Sequence, residues 1–113
     1  MTLVRAILEM GAGNDLHGGD YTKAALRAVQ DALHHSSLSF LRTLKIPAAS
    51  MQVTVTIGVP HPERVDHAQV LAVLPHGTGT VTVVEGGLEI PNDAGTNSTL
   101  IAHAAAIVRL DLP

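Results

Sequence analysis

A chain of 113 residues with a formal net charge of −3 has the length of one domain and lacks the basic surplus of a nucleic-acid binder. One Phe, one Tyr and no Trp leave no aromatic platform for base stacking, and the absence of cysteine excludes disulfides, thiolate catalysis and thiolate metal sites. No apolar run approaches the roughly 20 residues of a membrane span, and the N-terminus lacks the basic and apolar regions of a signal peptide. The expectation is therefore a single cytoplasmic α/β domain over residues 1–113, with neither nucleic acid nor membrane as partner.

Residues 3–8 are short and mostly apolar and predict a first strand, which ends before the turn-type run Gly11-Ala12-Gly13-Asn14. A polar, Gly-rich loop over residues 11–20 then leads to a helix that Asp20 is suited to cap. Tyr21, Ala24, Ala25, Ala28, Val29, Ala32 and Leu33 fall at helical spacing, and the helix fades at His34-His35-Ser36-Ser37. Residues 38–50, with Phe40, Leu41, Leu44 and Ile46, read as a covering segment. Residues 51–59 carry the strongest strand signal, with Val53, Val55 and Ile57 alternating against Thr54, Thr56 and Gly58. A short helix from Val65 or Asp66 to Leu74 stops at Pro75. Residues 80–84 then form a strand, Gly86-Gly87 a turn or bulge, and residues 88–90 a return; 91–97 are a polar loop.

Residues 99–112 are ambiguous, because their Ala-rich centre favours helix by propensity. Strict alternation of Leu100, Ala102, Ala104, Ala106, Val108 and Leu110 with Ile101, His103, Ala105, Ile107 and Arg109 decides for a strand, since a helix here has almost no polar face. The order strand-helix-strand-helix-strand-strand predicts an α+β two-layer sandwich: one mixed sheet of about four strands with helices on one face.

The chemistry concentrates in residues 11–27. Gly11, Gly13 and Gly18, with Asn14 among them, sit between a strand end and a helix start, where backbone N–H groups favour anions. The spacing is neither that of a P-loop nor that of the dinucleotide fingerprint. Lys23 and Arg27 stand one turn apart near the helix N-terminus, where cations oppose the helix dipole, which points to a carboxylate, phosphate or polarised carbonyl bound beside them. Pairing of Lys23 with Asp20 or Glu9, and of Arg27 with Asp31, is the structural alternative. Asp15 and His17 are spaced to form a hydrogen-bonded acid–base pair, or else to cap their own loop. The catalytic candidates are thus Asp15, His17 and Lys23, and the substrate-binding candidates Gly11, Gly13, Asn14, Gly18 and Arg27. His61, His67, His76 and His103 show no ligand spacing, so neither a metal nor a cofactor is expected; His103, inside an apolar strand, reads as a buried or interfacial histidine.

The run from Glu9 to Gly18, continued by Asp20-Tyr21-Thr22-Lys23-Ala24-Ala25, resembles the Lin0512 family, with Gly11, Gly13, Asp15, His17, Gly18 and Lys23 at the matching positions and Ala12 and Asn14 at variable ones. The resemblance extends through Glu85-Gly86-Gly87-Leu88 and the Ala-rich last strand, and implies no catalytic role. In architecture alone the chain also resembles one of the three domains of the cyanuric acid hydrolase and barbiturase ring-opening amidohydrolases. That likeness implies a threefold assembly and Lys–Ser pairs; Lys23 supplies a lysine, while Ser36, Ser37, Ser50 and Ser98 have no distinguishing context.

An Ala-rich core, a charged fraction of only 15% and strands apolar on both faces predict a homo-oligomer, and the likeness to the ring-opening amidohydrolases alone implies a trimer before a dimer. Three functions follow. The first is a small oligomeric enzyme acting on an anionic or carbonyl-bearing molecule such as a cyclic amide. The second is a binding module for an anionic metabolite, and the third a structural oligomer.

Overall fold

The computed structural model describes residues 2–17, 19–34, 45–47, 50–74 and 78–112. The expected covering segment falls largely outside the described residues, as do Gly18, His35, Pro75, His76 and Gly77.

Strand β1, Thr2–Asp15, is more than twice as long as its apolar run suggests. The expected turn at residues 11–14 is part of the strand, which pairs antiparallel with the last strand from Thr2↔Leu112 to Asp15↔Leu100, with one irregularity between Arg5 and Ile7. What governs Gly11 and Gly13 is contact with helix α1, Tyr21–His34. A Cβ on Gly11 runs into the backbone nitrogen of Ala32 and lies 2.6 Å from the Ala28 carbonyl oxygen; one on Gly13 runs into Ala28 N and lies 2.5 Å from Ala24 O. These glycines let the helix backbone lie on the strand, and Ala24, Ala28 and Ala32, all fully buried, complete the small-on-small seam. Composition alone cannot separate this use of glycine from a turn.

Helix α1 begins as its sequence suggests: Asp20 caps it by accepting the Lys23 N–H at 3.0 Å. Its buried face is the expected stripe from Tyr21 to Ala32, with Leu33 half-buried. Strand β2, Gln52–Val59, alternates as expected, with Val53, Val55, Ile57 and Val59 buried. A short 3-10 turn, Pro62–Arg64, precedes α2, His67–Ala72, where Asp66 Oδ1 accepts the N–H groups of Ala68 and Gln69. Strand β3, Thr78–Glu85, runs parallel to β2, so α2 is a crossover connection. Strand β4, Leu88–Pro91, and β5, Ser98–Leu112, complete the chain.

The sheet has five strands in the order β1-β5-β2-β3, with β4 also paired to β5. Mixed direction and helices over one face give the expected α+β sandwich, with one strand more than the sequence suggests. Helix α1 lies over β1 and β5 and touches α2, which covers β3. Residues 98–112 are a strand: Leu100, Ala102, Ala104, Ala106, Val108 and Leu110 point into the core while the intervening side chains face the other side, which no element among the described residues covers. Among the described residues no helix is long and apolar enough to cross a membrane.

Candidate functional site at the junction of β1 and α1

Strand β1 ends under the N-terminus of α1, and this junction collects the polar residues. Asp15 is buried at 4% exposure, the sole buried charged side chain among the described residues. Its Oδ2 accepts the Asp20 N–H at 2.8 Å and its Oδ1 lies 3.6 Å from Lys23 Nζ. The Asp20 amide above all, and then the charges of Lys23 and Arg27, hold the Asp15 carboxyl below its ordinary value against the opposing effect of burial. Asp15 therefore bonds to the start of α1 and not to His17, which lies exposed just beyond the strand.

Arg27, one turn after Lys23, donates from Nη1 to the Asn14 carbonyl at 2.7 Å. Four residues on, Asp31 Oδ2 accepts the Ala12 N–H at 2.9 Å. Both backbone groups belong to β1, which has β5 on one side and, among the described residues, no strand on the other. Two side chains of α1 thus reach over the edge of the sheet and satisfy groups that an added strand would use. Arg27 pairs with no carboxylate among the described residues, and the alternative pairings of Lys23 with Glu9 and of Arg27 with Asp31 are not the ones formed.

Asp15, Leu16, His17, Lys23 and Arg27 line one concavity of about 230 Å³. On the other flank of Lys23 and Arg27, a second depression of about 420 Å³ is lined with Asp20, Thr22, Gln30 and Gln69. The structure thus brings Asp15, His17, Lys23 and Arg27 together. Gly11 and Gly13 stand apart in the strand, where they serve the helix contact, and Asn14 contributes its carbonyl to Arg27.

Four described histidines lie outside the concavity. His34 ends α1, His67 opens α2, and His61 stands with its ring centroid 6.0 Å from that of Tyr21. His103 is exposed on the uncovered face of the sheet, so the burial expected for it is not supplied within the chain. No group of three or more His, Asp or Glu among the described residues is arranged to hold a metal ion.

Sequence reasoning missed the clamp at Tyr21. Its hydroxyl donates to Glu89 Oε1 at 2.9 Å, and the Arg64 guanidinium lies 4.3 Å from its ring centroid. Burial, with the Glu89 bond second, pushes the phenol up to about 12. Glu89 is 68 positions from Tyr21, and no local spacing announces such a pair.

The fold and the junction define a small α+β sandwich with a polar, partly cationic concavity where its edge strand meets its first helix. The chain belongs to the Lin0512 family, described as a conserved hypothetical protein, whose sequence profile matches residues 5–108. It is also similar to an FtsZ-like protein of unknown function from Nostoc punctiforme PCC 73102, known from a crystal structure. The two share 38% identity and a TM-score of 0.85 over 99% of each chain. No curated protein matches the chain.

Proposed function

We propose that the β1–α1 junction binds a small anionic molecule, a carboxylate or a phosphate. One observation carries this reading: Lys23 and Arg27 share a concavity of about 230 Å³ with a carboxylate that is already satisfied. Asp15 is held by the Asp20 amide and pairs with Lys23, so one carboxylate stands against two cations. The bond to Asn14 fixes the guanidinium in place and leaves most of its N–H donors for a ligand, and a planar fork of donors suits carboxylate and phosphate oxygens. Titration calorimetry of the full chain with inorganic phosphate and a set of small mono- and dicarboxylates tests this. The expected result is saturable binding of at least one anion, weakened at least about tenfold by Arg27→Gln and reduced by salt. Binding by Arg27→Gln equal to that of the parent chain overturns the reading, as does the absence of saturable binding.

A second reading makes the junction catalytic toward a carbonyl or cyclic-amide compound. Its support is His17, an exposed imidazole on the same concavity, free of any hydrogen bond or ion pair among the described residues and so available to move a proton. Turnover of a cyclic-amide panel, abolished in both His17→Ala and Lys23→Ala, would support it. Anion binding without turnover leaves the junction a binding module.

A further inference from the structure

We propose that the uncovered face of the sheet is the docking surface for a second copy of this chain. This inference is independent of the anion reading, since the face lies on the side of the sheet away from α1.

The face is unlike the rest of the surface. Of the nine large hydrophobic side chains exposed among the described residues, Leu3, Leu8, Met10, Val84, Leu88 and Ile90 alternate outward on its strands. Met10 is 71% exposed, at the centre of β1. Across the ladder, the rows Leu8–Ile107–Thr54 and Met10–Ala105–Thr56 contain no charge, and the row Ala12–His103–Gly58 contains only the histidine. The helical side, by contrast, bears Lys23, Arg27, Asp31 and Asp66. An apolar face this continuous is rare on a lone chain.

Three features point to a second copy as the occupant. The first is charge. Arg5 and Arg109 stand directly opposite each other in the ladder, an unfavourable like-charge pair without a carboxylate partner among the described residues. Asp111 lies two positions along β5 on the same side, so the end of the face carries both signs and its own copy is a complementary partner. The second is shape. Gly58, Ala12 and Ala105 line a hollow of about 510 Å³ together with Met10 and His103, while Leu8, 49% exposed, stands beside it on β1. One face thus offers both sockets and knobs, the condition for self-packing. The third is size. At ~4.8 Å between strands and ~3.4 Å per residue the face of the five strands covers roughly 800 Å² in plan. That matches the ~800 Å² per partner of a standard interface.

Sedimentation equilibrium of the full chain at micromolar concentration tests the proposal. The parent chain is expected at twice 11.8 kDa or a higher multiple. Met10→Lys places an unpaired charge in the contact and is expected to raise the dissociation constant at least about tenfold without changing the circular dichroism of the fold. Val84→Lys, on β3, should act in the same direction. Leu71→Lys, on an exposed site of α2 on the opposite side, should leave the mass unchanged. A parent chain at 11.8 kDa overturns the proposal. So does an assembly that Leu71→Lys disrupts and Met10→Lys does not.

Discussion

Replacing Gly13 by Ala distinguishes a glycine that packs a helix from one that shapes a ligand loop. The added methyl has nowhere to go: it runs into Ala28 N and lies 2.5 Å from Ala24 O and 2.6 Å from the Arg27 carbonyl carbon. All three are backbone atoms of α1, so relief requires the helix to shift by about an ångström along a seam that also contains Gly11. Overpacking against side chains costs about 1–3 kcal/mol, and against rigid backbone the upper end applies. About 3 kcal/mol out of a total of roughly 5–15 kcal/mol corresponds to a Tm lower by roughly 10–15 °C. Differential scanning calorimetry and urea titration measure it. Gly19→Ala is the control: nothing lies within 4 Å of its Cβ position, and only its φ of +63° resists, at about 1 kcal/mol. If Gly13→Ala is within 1 kcal/mol of the parent chain, the packing account of the two glycines is wrong.

The alkaline limb of stability should report Tyr21. Its phenol is raised from 10.0 to about 12, so its contribution is complete below pH 10 and is lost as pH rises toward about 12. Denaturant titrations from pH 9 to 12 should show a decline of roughly 2 kcal/mol, flattened in Tyr21→Phe. The acid limb should report Asp15, whose carboxyl is lowered in the fold. Its contribution is present above the unfolded value near 3.8 and lost as pH falls through the lower folded one, so Asp15→Asn should be less stable at pH 7 and flatter below about pH 4. Leu100→Ala, at a fully buried position on β5, should cost about 2–5 kcal/mol by chemical denaturation.

Periodicity made most of the fold legible. The alternation from Leu100 to Leu110 outweighed the helix propensity of its alanines because a two-residue period matches one buried and one uncovered sheet face. The stripe from Tyr21 to Ala32 likewise located α1, and Asp20 its start. The misreading at residues 11–14 came from glycine having two uses, permissive dihedrals and absent volume, which only the neighbouring helix tells apart. At the site, Asp15, His17, Lys23 and Arg27 were legible because they are close in sequence and charged against the helix dipole. Their partners were not, since the Asp15–Asp20 bond, the Arg27–Asn14 bond and the Tyr21–Glu89 clamp depend on which side of an edge strand the helix comes to rest.

The position of β5 has a consequence for synthesis. It is the strand to which β1, β2 and β4 are all bonded, and it follows every other element in the chain. Strand β1 is complete at Asp15, yet its ladder partner starts at Ser98. At about 5–20 residues per second, the ribosome leaves β1 without that partner for several seconds to roughly a quarter of a minute. During that interval the contact of Gly11 and Gly13 with α1 is the native shelter available to the first strand, and the bonds of Arg27 and Asp31 to Asn14 and Ala12 already cover one of its edges. A nascent chain stalled before residue 98 should therefore show at most partial protection from protease over β1 and α1, and full protection should arrive only once β5 is free to join the sheet.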